Sequence, residues 1–147
     1  MVSSQEVEIL SFLLGDQSMA FDVDSVEMVI ERTEIRPVPK AKFFVEGVIN
    51  LRGRVIPVVN LGKVLGINVE DRELKSIIVV KTKDVEVGFL VNRVWGVMRI
   101  SESQVDHLSV SDKFGKKFKG LIKRDGNLTV YLNIEEIIEE ITAKEGA

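Results

Sequence analysis

Residues 45–66 read VEGVINLRGRVIPVVNLGKVLG, and the way this stretch folds decides how the rest of the chain is arranged. Val45, Val48, Ile49 and Leu51 run up to Arg52-Gly53-Arg54, and Val55, Ile56, Val58 and Val59 resume at once. Two β-rich runs split by a glycine-bearing tip predict an antiparallel hairpin, with Gly53 supplying the positive φ of a tight turn. Asn60 then breaks the strand and is placed to N-cap the short apolar run Leu61, Val64, Leu65, which Gly66 closes in the left-handed conformation. Pro57 offers a sheet ladder no N–H, which predicts that the second strand is an edge or is bulged there.

Outward from this unit the chain keeps the same texture. Glu8 to Leu14 and Met19 to Val23 read as strands across the turn residues Gly15-Asp16-Gln17-Ser18. Asp24 and Glu27 come close to a capping box, and Val26, Val29 and Ile30 form an i, i+3, i+4 stripe, so a helix is predicted there. Pro37 and Pro39 mark an extended or looped stretch. The polar run Asn68 to Leu74 reads as a linker between halves. Ser76 to Thr82 and Val85 to Val91 predict a hairpin across Lys83-Asp84, Asn92 to Ile100 suits a strand or a short helix, and Ser101 to Phe118 reads mostly as loop. Gly120 to Lys123 and Leu128 to Leu132 predict a last hairpin across Asp125-Gly126-Asn127. A helix follows from Ile134 to Ala143, with Asn133 as its cap and Ile134, Ile137, Ile138 and Ile141 as its apolar stripe.

The halves match one another. At a shift of 68, Phe21 meets Phe89, Val23 meets Val91, Val26 meets Val94 and Val29 meets Val97; at a shift of 73, Gly53 meets Gly126, Asn60 meets Asn133 and Leu61 meets Ile134. A duplicated plan with many short strands predicts two small β-barrels or barrel-like sheets packed on one another.

Composition narrows the function. A chain of 147 residues with 45% hydrophobic and 29% charged residues can bury a real core and stay soluble. A net charge of -3 gives no overall attraction to nucleic acid or anionic membranes. With no cysteine and one histidine, His107, no zinc ligand set can be assembled, and a Ser-His-Asp triad would have to use that same loop residue. Asp22 and Asp24 lack further acidic partners, which favours structural use. The segment Lys113 to Lys119 (KFGKKFK) has the composition of a weak anion or nucleic-acid patch, or of a solvated loop. Trp95, the only tryptophan, suits a core or inter-domain position before a partner surface. The N-terminus MVSSQEVEI has neither a basic nor an apolar leader region, and no run nears the ~18 apolar residues of a bilayer span, so a cytoplasmic location is expected. Arg52 and Arg54 stand at a turn that no fold requirement reserves for arginine, free for bidentate contacts with a partner. Residues alone thus point to a non-enzymatic, β-rich, two-lobed binding module.

FVEGVINLRGRVIPVVNL (44–61) also resembles the signature of the CheW-like domain, and ILSFLLGDQSMAFDVDSVEMVIE (9–31) and VGFLVNRVWGVMRI (87–100) extend the resemblance over essentially the whole chain. It implies a mainly β fold: two intertwined five-stranded, SH3-like β-barrel subdomains with short helices and a C-terminal helix, bounded near 1–72 and 73–147 with room for strands to be exchanged between them. It implies a non-catalytic chemotaxis adaptor without cofactor or metal, coupling the cytoplasmic tip of chemoreceptors to the regulatory domain of the chemotaxis histidine kinase. Such an adaptor is a monomer outside the signalling array and is recruited to membrane-associated receptor arrays without entering the membrane or binding nucleic acid. Carried over by position, receptor contact falls on Arg52, Leu10, Val23, Val26, Ile30 and Val97, and kinase contact on Ile35, Arg36, Val38, Lys40 and Gly47. Asn50 and Gly53 support the motif. One departure is Asn60, where family members often carry aspartate; both residues cap a helix, but a negative charge is missing here. A barrel-pair module for a peptide or nucleic acid is the alternative.

Overall fold

The structure is a computed structural model that describes residues 5–82, 84–107 and 115–143. The chain runs β1 (Glu6–Leu14), β2 (Gln17–Asp22), β3 (Val26–Glu31), β4 (Val45–Leu51), β5 (Arg54–Asn60), α1 (Leu61–Leu65), β6 (Ser76–Thr82), β7 (Val85–Val91), β8 (Arg93–Ser101), β9 (Val105–Asp106), β10 (Phe118–Arg124), β11 (Asn127–Leu132) and α2 (Ile134–Thr142). The fold is mainly β. One sheet has the order β8-β1-β2-β11-β10-β9 and the other β3-β6-β7-β5-β4, so the expected five strands per sheet become six in the first by the two-residue β9.

The repeat survives in three dimensions with an exchange. If β1 to β5 are matched with β6, β7, β8, β10 and β11, each sheet has the same strand order, and each takes its β1–β2-type hairpin from one half and the other three strands from the other. The parallel junctions correspond as well: β2 pairs β11 through Met19↔Val130 and Ala20↔Tyr131, and β7 pairs β5 through Gly88↔Val58 and Phe89↔Val59. So do the bulges. Glu27 is the extra residue of β3 against β6, and Trp95, 68 positions on, is the extra residue of β8 against β1.

The main core draws on both sheets. Phe12 and Phe21 from the first hairpin stack at 4.9 Å, and Phe21 meets its repeat mate Phe89 at 5.5 Å, each pair tilted as ring quadrupoles prefer. A smaller cluster of Ile9, Ala20, Ile100, Val105, Ile122 and Tyr131 forms apart from it. Alternate residues of β1 serve the two, with Leu10 and Phe12 in the main core and Ile9 in the small one, as the two-residue period of a strand requires. Asn60 Oδ1 accepts the Lys63 N–H at 3.1 Å and Gly66 closes α1 at φ 76°, as its sequence predicts. Asn133 accepts the Glu136 N–H at 3.2 Å, and Lys42 Nζ donates to the Ile141 carbonyl at 3.2 Å beside the C-terminal end of α2, where cations are favoured.

Several expectations are corrected. Residues 26–30 form strand β3, not a helix: Val26, Met28 and Ile30 turn to the core while Glu27, Val29 and Glu31 are exposed, an alternation hidden beneath the helical spacing. Asp24 caps nothing; it lies within a single 3-10 turn, Val23–Ser25. Strand β5 is interior, between β7 and β4, and Pro57 is tolerated because the β7 ladder begins only at Val58. Asn68 to Leu74, which joins α1 to β6, is held to the fold: Leu74 is buried, and Arg32 Nη1 donates to the carbonyls of Asp71 and Leu74 at 3.0 Å each, which leaves its reading as a linker in place. Residues 93–101 settle as strand β8, and the stretch read as loop contains β9 and two 3-10 turns. Trp95 is 54% exposed, turned out by its bulge on an edge strand.

Candidate functional site

The hairpin tip is built as the sequence predicts. Arg52 and Gly53 have φ 51° and 83°, the pair of left-handed residues that a two-residue hairpin turn requires, and Asn50 Oδ1 accepts the Gly53 N–H at 3.0 Å. The turn therefore pushes Arg52 outward. It is exposed, and its guanidinium has no hydrogen-bond or ion-pair partner among the described residues.

Two residues on, Arg54 behaves differently. Its Nη2 donates to Glu27 Oε1 at 3.1 Å and its Nη1 stands 2.8 Å from Glu86 Oε2. That second contact is an ion pair without an aligned hydrogen bond, since Glu86 Oε2 is buried with no hydrogen-bond partner among the described residues. The two carboxyls also meet each other. Interaction with the neighbouring Glu86 carboxyl and with Arg54 holds Glu27 below the ordinary carboxylate value, whereas the same interaction with Glu27, with some burial, raises Glu86 above it.

Gly47 makes the neighbouring contact possible. At φ 149° it lies against the Arg36 carbonyl, and a Cβ there would come within 2.2 Å of that oxygen. Arg36 and Val48 exchange backbone hydrogen bonds of 2.9 Å in both directions, which lays Ile35 and Arg36 along the edge of β4. Ile35, Arg36 and Gly47 are thus brought together. Val38 and Lys40 lie farther along the same segment, both exposed, with Lys40 in the left-handed region at φ 59°. A depression of about 300 Å³ separates Glu34 and Arg36 from Asn50 and Val55, and so links this edge to the tip.

The apolar candidates lie on β1, β3, β8 and the turn before β3. Leu10 and Val97 are direct cross-strand partners of β1 and β8, yet Leu10 is 4% exposed and belongs to the main core while Val97 is 58% exposed. Val23, Val26 and Ile30 are half-buried against that same core. β3 and β8, which carry Val26, Ile30 and Val97, are edge strands of their two sheets.

Other titratable groups are tied into the fold. Asp22 accepts from the Tyr131 hydroxyl and, at 2.6 Å, from Lys119 Nζ; burial and that carboxylate push the Tyr131 hydroxyl well above its ordinary value. His107 Nδ1 lies 2.9 Å from the Lys119 carbonyl. In the basic segment Lys113 and Phe114 lie outside the described residues, and Lys117 is paired with Glu140 at 2.9 Å, so two of its lysines are already neutralised within the chain. Sequence reasoning missed the group formed by Glu27, Arg54 and Glu86. The signal for it was Glu86 itself, the only charge within the strand run VEVGFLV.

The geometry can be set beside known proteins. The chain is 66% identical over 142 residues to the chemotaxis protein CheW of Thermotoga maritima, across 97% of this chain and 94% of that one. It is 26% identical over 150 residues to the chemotaxis protein CheW of Treponema pallidum, across 98% and 87%. The crystal structure of the scaffolding protein TtCheW from Thermoanaerobacter tengcongensis superposes with a TM-score of 0.81 at 27% identity, covering 92% of this chain and 94% of that one. The family model described as the CheW-like domain matches residues 8–142, a span that includes both sheets and the exposed arginine turn. The chain belongs to the CheW-like domain family.

Proposed function

We propose that this protein is a chemotaxis scaffold that couples the cytoplasmic tip of chemoreceptors to the regulatory domain of the chemotaxis histidine kinase and catalyses no reaction. The observation that carries the reading is the likeness to a chemotaxis protein CheW over nearly the full length of both chains. The geometry supports it in kind. Arg52 is a guanidinium without a partner among the described residues, on a two-residue turn suited to planar, charge-assisted contacts, and Val97 and Val38 offer exposed apolar surface at strand and segment edges. In this reading Arg52 serves receptor contact together with Leu10, Val23, Val26, Ile30 and Val97, and Ile35, Arg36, Val38, Lys40 and Gly47 serve kinase contact. Among the described residues no helix is long and apolar enough to cross a membrane. A coupling protein would then reach the membrane only through its receptor.

Calorimetric titration into the isolated kinase regulatory domain and into a receptor-tip fragment tests the proposal. Saturable one-to-one binding to both is expected, in the micromolar range of a transient contact. Arg52→Ala is expected to weaken receptor-tip binding by about tenfold, the scale of one lost charge-assisted contact, with an unchanged unfolding midpoint. Absence of heat with either partner overturns the coupling reading.

A further inference from the structure

The hairpin that carries Arg52 is longer than the sheet that supports it. β5 is laddered to β7 only through Val58, Val59 and Asn60, so Arg54 to Pro57 run on for four residues, roughly 13 Å, with only β4 beside them. Along that overhang Ile56 is buried and Val55 is exposed. Past Ile56 the hairpin is tied to other strands by side chains: Leu51 packs on the core, and Arg54 reaches both Glu86 on β7 and Glu27 on the β3 bulge. Two strands that contribute no backbone bond to the overhang are thus joined to it by one guanidinium.

The repeat supplies an internal comparison. At the corresponding places of the other sheet, Arg54 becomes Asn127, Glu27 becomes Trp95 and Glu86 becomes Ser18, while the turn keeps the same geometry, with Asp125 and Gly126 at φ 51° and 79°. The turn can therefore form without a counterpart of this three-residue group, although Asp125 itself stands 3.9 Å from Arg124 Nε. The three charged residues are a property of the Arg52 hairpin, not of the fold.

We propose that Arg54 is a positioning residue: by bridging Glu27 and Glu86 it fixes the overhanging hairpin so that Arg52 is held out in one direction toward its partner. The docking role rests on the reading of Arg52 given above; the ordering of the tip does not. Arg54 turns back into the protein and Arg52 turns out of it, so two arginines in one motif have separate duties.

The test is amide hydrogen exchange, resolved by residue, on full-length wild type, Arg54→Ala, Arg54→Lys and Glu27→Gln, with titration into the receptor-tip fragment. Arg54→Ala is expected to speed exchange at Gly53 by about fivefold, as befits the loss of two partly exposed ion pairs, and to leave Gly126 unchanged. Arg54→Lys, which can pair with only one carboxylate at a time, is expected to fall between. Affinity should drop with the same ranking. Unchanged exchange at Gly53 overturns the proposal, and so does an equal rise at Gly126, which would mean general loosening. If Arg54→Ala does not fold, Glu27→Gln takes its place with the same two readouts. Should Arg52→Ala bind as wild type does, the contact reading fails while the exchange result still decides the clamp; should Arg52→Ala weaken binding and a loosened tip not, positioning fails alone.

Discussion

At the scale of the residue, Glu86 sits beside Glu27 and Arg54 where two carboxyls compete for one guanidinium. Glu86 is raised above its ordinary 4.5, so the stability it lends is fully present below that value and is lost as pH rises through its folded value. Glu27 is lowered from the same 4.5, so its contribution is present above that value and is lost as pH falls through its folded value. Glu86→Gln copies the protonated partner. Relative to wild type its gain in urea resistance is expected to be absent below 4.5 and to grow as pH rises through the folded value of Glu86; a gain confined to the acid end would contradict the assignment. Gly47 is the second residue whose role is local and strict. Gly47→Ala drives a methyl into the Arg36 carbonyl at a φ of 149° and is expected to cost about 2 kcal/mol by urea unfolding. Gly120, whose Cβ would meet the Asp106 carbonyl at 2.6 Å, is expected to respond in the same direction.

At the scale of the element, most strands and both α-helices were legible because their signals are local. Asn-Leu and Asn-Ile at positions 60–61 and 133–134 each announce a cap followed by an apolar period, and both caps are found. Asn133→Ala leaves the Glu136 N–H without that acceptor and is expected to lower stability by about 1 kcal/mol, measured as a shift in the urea midpoint at constant slope. β3 was misread for a physical reason. Val26, Val29 and Ile30 fit a helical stripe, but Val26, Met28 and Ile30 fit a strand equally well, and β6 decides between them by offering Ile77 to Val80 as partners. Pro57 misled in a similar way: the sequence shows that an N–H is missing but not on which side of the strand a neighbour begins. The candidate site divides along the same line. Arg52 was legible from its turn, whereas Glu27, Arg54 and Glu86 come together only through a bulge and a sheet neighbour.

At the scale of the whole molecule, hairpin exchange makes the two halves one cooperative unit. Without residues 73–147, β1 and β2 lose β8 and β11, and β3 and β5 lose β6 and β7, so neither sheet can form from the first half alone. A fragment of residues 1–72 is expected to be unfolded by circular dichroism, and the intact chain to show one calorimetric transition whose measured and van't Hoff enthalpies agree. Two separate transitions would show that the halves fold independently. The sequence repeat revealed that two similar halves exist; it could not reveal which hairpin joins which sheet, because periodicity describes an element and not its partner.

That exchange also sets a timetable. A ribosome releases the first hairpin, with Phe12, Leu14, Met19 and Phe21 along it, long before β8 and β11 have been made. Until β8 and then the last hairpin emerge, β1 and β2 lack their sheet neighbours, whereas the second sheet waits only for β6 and β7 and has all its strands at Val91. The nascent chain therefore keeps apolar strands unpaired at least until β7 is made, and a ribosome stalled before Val85 leaves neither sheet complete.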